Sequence, residues 1–135
     1  MKKSITQKFE YGCGIACFAF VTDLSYAKAE NCLGIKQATS NRFWVKDLTV
    51  ALNLYGKPYI SKYVKPHIKK LIYQEGTIVL IKRSNHYPVG HYLVRHNNSW
   101  MDPWINLLID RDIKKAKSGF RYRLPGIAMY AIFPG

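Results

Sequence analysis

The stretch EYGCGIACFAF, Glu10 to Phe20, sets a cysteine between two glycines at the point where an apolar segment begins. From Cys13 to Thr22 the chain is apolar nearly all round, which predicts a buried helix. Cys13 stands at its start, where free N–H groups and a partial positive charge stabilise a thiolate. Gly12 and Gly14 carry no side chains, so both the thiol and a substrate can approach the backbone there. Cys17 lies one turn further in. Cys32 lies near the end of a second helix, at the wrong pole for an anion. Of the three, only Cys13 is placed to react. Its sulfur equally fits a plainer role, because free cysteine is among the most buried residue types. A partner elsewhere in the chain has to decide.

Around that stretch, 135 residues with 48% hydrophobic content suffice for one folded domain with a core that needs no disulfide staples. We expect a single domain over 1–135, with a helical half at about 1–56 and a sheet half at about 57–135. No apolar run reaches the roughly 20 residues that a bilayer demands. MKKSITQKFEYG has no apolar stretch after its lysines and does not read as a signal peptide. The chain is therefore expected in the cytoplasm, or delivered into a target cell as a toxin domain, with reduced thiols. Three irregularly spaced cysteines argue against a disulfide framework.

The net charge is +13 and unevenly spread. Up to residue 56 there are seven basic and four acidic side chains; from residue 57 there are fourteen and four. That excess points to a polyanionic partner, whether nucleic acid, an anionic membrane or an acidic protein, unless it serves solubility alone.

The helical part continues with LSYAKAENCLG, which Ser25 can cap and Gly34 can stop. TSNRFWVKDLTVALNLYG follows as a longer helix, with Val45, Leu48, Ala51, Leu52 and Tyr55 at helical spacing and Gly56 at its end. Beyond it the pattern changes. PYISKYV suits a strand. KPHIKKLIYQEG suits a short helix with Ile68, Leu71 and Ile72 on one face. TIVLIKR is a buried strand, and GHYLVRHNNSWMDPW reads as two strands turning at Asn97-Asn98. INLLIDRDIKKAKSG is ambiguous between a short strand and a basic helical turn. GIAMYAIFP is a last strand. Helices first and an antiparallel sheet after them make an α+β plan.

A base for Cys13 must come from four histidines. His67, His86 and His96 take the ordinary structural or solvated role. His91 and His96 point to opposite faces of their strand. His91 follows Gly90 at a strand start, where a loop gives access. An imidazole acting as base wants an acceptor on its other nitrogen. Asp102, between Met101 and Pro103 on the adjacent strand, offers one, whereas Asp110 and Asp112 sit among basic residues as surface charges. No complete C-x2-C or H-x3-5-H set suggests zinc, and no P-loop or dinucleotide fingerprint is present, so neither a metal nor a cofactor is expected.

QKFEYGCGIAC, then GHYLV, then DP together resemble the papain-like cysteine peptidase domain with which bacteriocin-exporting ABC transporters clip double-glycine leader peptides. The resemblance runs from about Gln7 to Pro134 and includes stand-alone and toxin-borne relatives. It implies a thiol peptidase acting on a peptide or protein substrate, with Cys13 as nucleophile, His91 as base, Asp102 as its orienting acid and Gln7 as oxyanion donor. The family often has an acidic residue before the nucleophile; this chain has Gly12. The alternative on the same scaffold is a basic antibacterial toxin domain acting on nucleic acid and neutralised by an acidic immunity protein.

Overall fold

A computed structural model describes residues 2–34 and 44–135. Its first elements are helices α1 (Cys13–Thr22), α2 (Tyr26–Leu33) and α3 (Val45–Leu54). Strands β1 (Tyr59–Tyr63), β2 (Ile78–Ile81), β3 (His91–His96), β4 (Ser99–Asp102), β5 (Gly119–Arg121) and β6 (Ala128–Pro134) follow, with 3-10 segments at Pro66–Tyr73 and Ile113–Lys115. The strands form one antiparallel sheet in the order β1-β6-β2-β3-β4-β5. The expected α+β plan is the one observed.

Local signals account for most boundaries. Every residue of α1 after Cys13 is buried, as a helix without a polar face requires. Ser25 caps α2 by accepting the Lys28 N–H at 3.2 Å, and Gly34 ends it with a φ of 81°. Trp44 is extended, and α3 begins at Val45 with the Asp47 carboxylate accepting the Trp44 N–H at 2.9 Å. The earlier part of the third helical pattern, Thr39 to Phe43, lies outside the described residues. Asn97 and Asn98 both have positive φ, 47° and 62°, the conformation of the two-residue hairpin turn joining β3 to β4.

Two segments depart from expectation. Pro66–Tyr73 is a 3-10 helix, with Ile68 and Ile72 turned inward and Leu71 left exposed. In INLLIDRDIKKAKSG the expected basic helical turn forms at Ile113–Lys115, but no strand forms before the last residue, Gly119. The Asn106 side chain donates to the Lys115 carbonyl and accepts the Lys117 N–H, holding the segment as a closed loop. The strand comes afterwards, as β5.

The core has two layers. On one sheet face α1, α2 and α3 pack against Ile78, Tyr92, Val94, Met101 and Ile132. On the other, Ile68 and Ile72 of the first 3-10 segment, with Tyr87, Trp104 and Leu107 from loops, cover Val79, Leu93, Trp100 and Phe133. Covering both faces explains why β2 is a continuous apolar run rather than an alternating one. Truncating a fully buried Ile15 or Leu93 to Ala should cost about 2–5 kcal/mol.

Candidate functional site

α1 delivers Cys13 as its first residue, with Gly12 as N-cap and no side chain capping that end. The preceding loop is fastened twice. The Gly12 N–H donates to the Phe9 carbonyl at 2.9 Å, and the Gln7 N–H donates to the Pro103 carbonyl at 3.1 Å. The second bond ties the loop before Cys13 to the residue after Asp102. Gly12 is needed for close packing, which corrects the expectation of open access there. The Tyr26 hydroxyl donates to the Gly12 carbonyl at 3.2 Å and fills the space that a side chain at position 12 would occupy. Cys13 is half-buried, Cys17 buried and Cys32 exposed. Burial, first of all, pushes the Cys17 thiol well up.

β3 delivers His91. Gly90, before it, has a φ of 79°, and a side chain there would run into the Ile81 carbonyl. The loop at 84–90 closes through Gly90 N–H to Tyr87 carbonyl (2.9 Å) and Ser84 N–H to Tyr87 carbonyl (3.0 Å). This seats the Tyr87 ring against the His91 ring, centroids 5.0 Å apart and 21° from parallel. His91 Nε2 is 2.7 Å from Asp102 Oδ1, and the imidazole lines the same cleft as the Cys13 side chain. Burial works to lower the His91 pKa, but the hydrogen bonds and charges of Asp102 and Cys13 overcome it and raise the pKa to about 10.

β4 delivers Asp102, which is fully buried. Its Oδ1 also accepts the Trp104 N–H at 2.9 Å, and its Oδ2 accepts from Arg121 Nη1 at 3.2 Å. Burial alone would push this carboxyl up. The hydrogen bond and charge of His91, then the Trp104 N–H and Arg121, hold it below the usual carboxylate range. A buried carboxylate with these partners is fixed in place and ionised.

Gln7 is buried and lines the same cleft as Cys13 and His91. Its Nε2 donates to the Phe9 and Glu10 carbonyls at 3.0 and 3.1 Å. Among the described residues its Oε1 has no partner, nor has Trp104 Nε1, another buried atom of a cleft residue. The cleft encloses about 160 Å³. His86 borders it, and its carbonyl accepts from Arg111 Nη2 at 3.2 Å. His67 is exposed, and His96 is buried at the far end of β3.

The structure thus brings Cys13, His91 and Gln7 to one cleft, with Asp102 hydrogen-bonded behind His91. Tyr87 and Arg121 complete the surroundings of His91 and Asp102, and sequence reasoning missed both. Tyr87 lay unremarked beside His86, and Arg121 was one of several cations between 111 and 123. Only the β4–β5 register, with Asp102 opposite Gly119 and Trp100 opposite Arg121, singles it out. A sulfur at a helix start, a buried imidazole and a fixed carboxylate behind it form an arrangement able to transfer an acyl group.

No family model and no curated protein sequence matches the chain. Among solved structures it is similar to the peptidase domain of Streptococcus ComA, a bifunctional ABC transporter involved in a quorum-sensing pathway. The match has a TM-score of 0.55 and 20% sequence identity, over 98% of this chain and 97% of that one. The α+β fold is therefore that of the ComA peptidase domain. No helix among the described residues is long and apolar enough to cross a membrane.

Proposed function

We propose that the chain is a cysteine peptidase of the double-glycine leader-peptidase type, working in the cytoplasm. The observation that carries this reading is the His91 ring held between Asp102 at 2.7 Å and the Cys13 side chain at the head of α1. The Cys13 sulfur, its proton already passed to His91, attacks the scissile carbonyl carbon. Asp102 keeps Nε2 engaged, which leaves Nδ1 facing the sulfur, and it stabilises the imidazolium. The oxyanion is held by the Cys13 N–H, free at the uncapped helix start, and by the Gln7 amide, which releases one of its two carbonyl acceptors as charge develops. The C–N bond breaks, His91 gives its proton to the leaving amine, and water then hydrolyses the thioester.

The test is incubation with a double-glycine leader peptide, products read by mass spectrometry, beside a labelled RNA. The expected result is one cut after the glycine pair, absent in Cys13→Ala, with the RNA intact. A peptide cut that survives Cys13→Ala overturns the assignment. RNA cleavage dependent on Cys13 or His91 replaces it with the nucleic-acid alternative.

A further inference from the structure

A second and larger concavity, of about 630 Å³, adjoins the cleft at Cys13. Leu80, Val89 and Tyr92 line both, so the two share a wall. The groove lies between the start of α3, the edge strand β1, its neighbour β6, and the end of β2. Lys46, Lys62, Lys82 and Arg83 line it, all exposed, and none is in an ion pair among the described residues. No acidic residue is among the described residues that line it. Asp47, beside Lys46 in the chain, turns its carboxylate to the Trp44 N–H. Between the cations the surface is aromatic. Trp44 and Tyr63 are each about half exposed, and Tyr130 meets Tyr63 edge-on at 5.3 Å. A concave surface lined by one sign of charge focuses its field on a ligand of the other sign.

We infer that this groove binds an acidic stretch of the peptide substrate, one in which carboxylates alternate with aromatic or aliphatic side chains. The inference rests on the peptidase reading and gives it a substrate class. The shared wall makes the groove the continuation of the cleft for an extended chain. A peptide also carries the acyl carbon on which Cys13 can act, and a nucleic acid does not. The four cations match the carboxylates, and Trp44, Tyr63 and Tyr130 match the apolar side chains between them.

The test measures binding apart from cleavage. The full chain, carrying Cys13→Ala so that nothing is consumed, is titrated at about 150 mM salt with three labelled probes. These are a short peptide alternating Glu with Leu or Phe and ending in Gly-Gly, its Glu→Gln counterpart, and an oligothymidylate of equal charge. Each titration is repeated in a groove variant, Lys62→Gln/Lys82→Gln/Arg83→Gln, and in a control that loses the same charge elsewhere, Lys114→Gln/Lys115→Gln/Lys117→Gln. Thermal unfolding confirms that both variants are folded. The Glu peptide should bind about tenfold more tightly than the Gln peptide, since three exposed ion contacts add modestly each. The groove variant should lose that preference, and the control should keep it to within about threefold. Equal loss in both variants overturns the inference, because the attraction is then diffuse. Groove-dependent binding that favours the oligothymidylate over the Glu peptide overturns it for a nucleic-acid surface. Peptide cleavage by the unaltered chain without groove dependence of binding defeats the groove alone. Groove-dependent binding of the Glu peptide without cleavage defeats the peptidase reading and leaves the acidic-peptide groove standing.

Discussion

Strand β3 carries a histidine at each end, and the two ends look alike at first. Both rings are buried and both meet a carboxylate, His91 at 2.7 Å from Asp102 and His96 at 2.6 Å from Glu75. Their settings differ. Asp102 is fully buried and held by Trp104 and Arg121, whereas the Glu75 side chain is 61% exposed and also accepts the Asn97 N–H. The free side of His91 meets Cys13 and a cleft. His96 Nε2 has no partner among the described residues, and its ring lies edge-on to Phe20, 5.1 Å away, and near Phe120. A histidine–carboxylate pair in this fold can be plain structure. It becomes chemistry only where a helix start brings a sulfur to the imidazole.

That contrast can be broken most directly by substitution. Cys13→Ala and His91→Ala should each lower peptide turnover by about 10⁴-fold or more, because members of such a unit fail together. His96→Gln should leave turnover within about threefold while lowering stability by only about 0.5–1.5 kcal/mol, because the Glu75 end of the lost bond is in water. Turnover and urea unfolding on the same preparations check both, and an inactive but stable His96→Gln would reverse the two roles. Next in size, Gln7→Ala should cost about 100- to 1,000-fold in kcat if its amide meets the oxyanion. Normal kcat would reduce Gln7 to a brace for the loop at residues 7–12.

The thiols sharpen the comparison further. Brief labelling with a small uncharged alkylator should mark Cys13 first, by about tenfold over Cys32, with Cys17 protected until unfolding. Cys32 is exposed and will react at an ordinary rate. The informative result is therefore that His91→Gln slows Cys13 to the pace of Cys32, while His96→Gln does not. Peptide mapping reads all three at once.

The smallest effect expected is on stability against pH. The His91 pKa is raised to about 10 in the folded chain. Its contribution is thus present in full below the ordinary histidine value near 6.5 and is lost as pH climbs through about 10. Asp102 is held low, so its contribution is present above the ordinary carboxylate range and is lost as pH falls through its folded value. The gap in urea midpoint between the unaltered chain and His91→Gln should be widest near neutrality and close by about pH 10.5. A gap independent of pH would mean that shape, not charge, is what His91 adds.

Much of this was legible beforehand because it rests on local rules. The apolar run after Cys13, the Ser25 cap, the Asn97-Asn98 turn and the strand parity separating His91 from His96 are all short-range statements. The proximity of Asp102 to His91 followed from the hairpin alone. What escaped was long-range or made by side chains. The second layer over the sheet comes from loops whose apolar residues, Tyr87 and Leu107 among them, follow no period. Asn106 settles the loop after β4 with side-chain bonds that no propensity scale weighs. Arg121 reaches Asp102 across 19 positions, through a register visible only once β5 is paired. The commitment of the Gln7 amide to two carbonyls was likewise out of reach, because it depends on the fold of the loop before Cys13.

The contact between Tyr26 and Gly12 carries a rule for how this site can vary through descent. The hydroxyl stands where a side chain at position 12 would have to go, so the two positions are free to change only as a pair. Relatives with an acidic residue before the cysteine should carry a shorter residue in place of Tyr26, and relatives that keep the tyrosine should keep the glycine. In the laboratory, Gly12→Asp alone should disturb the head of α1. Gly12→Asp with Tyr26→Ala should recover the fold and turn the entrance beside Cys13 from neutral to anionic.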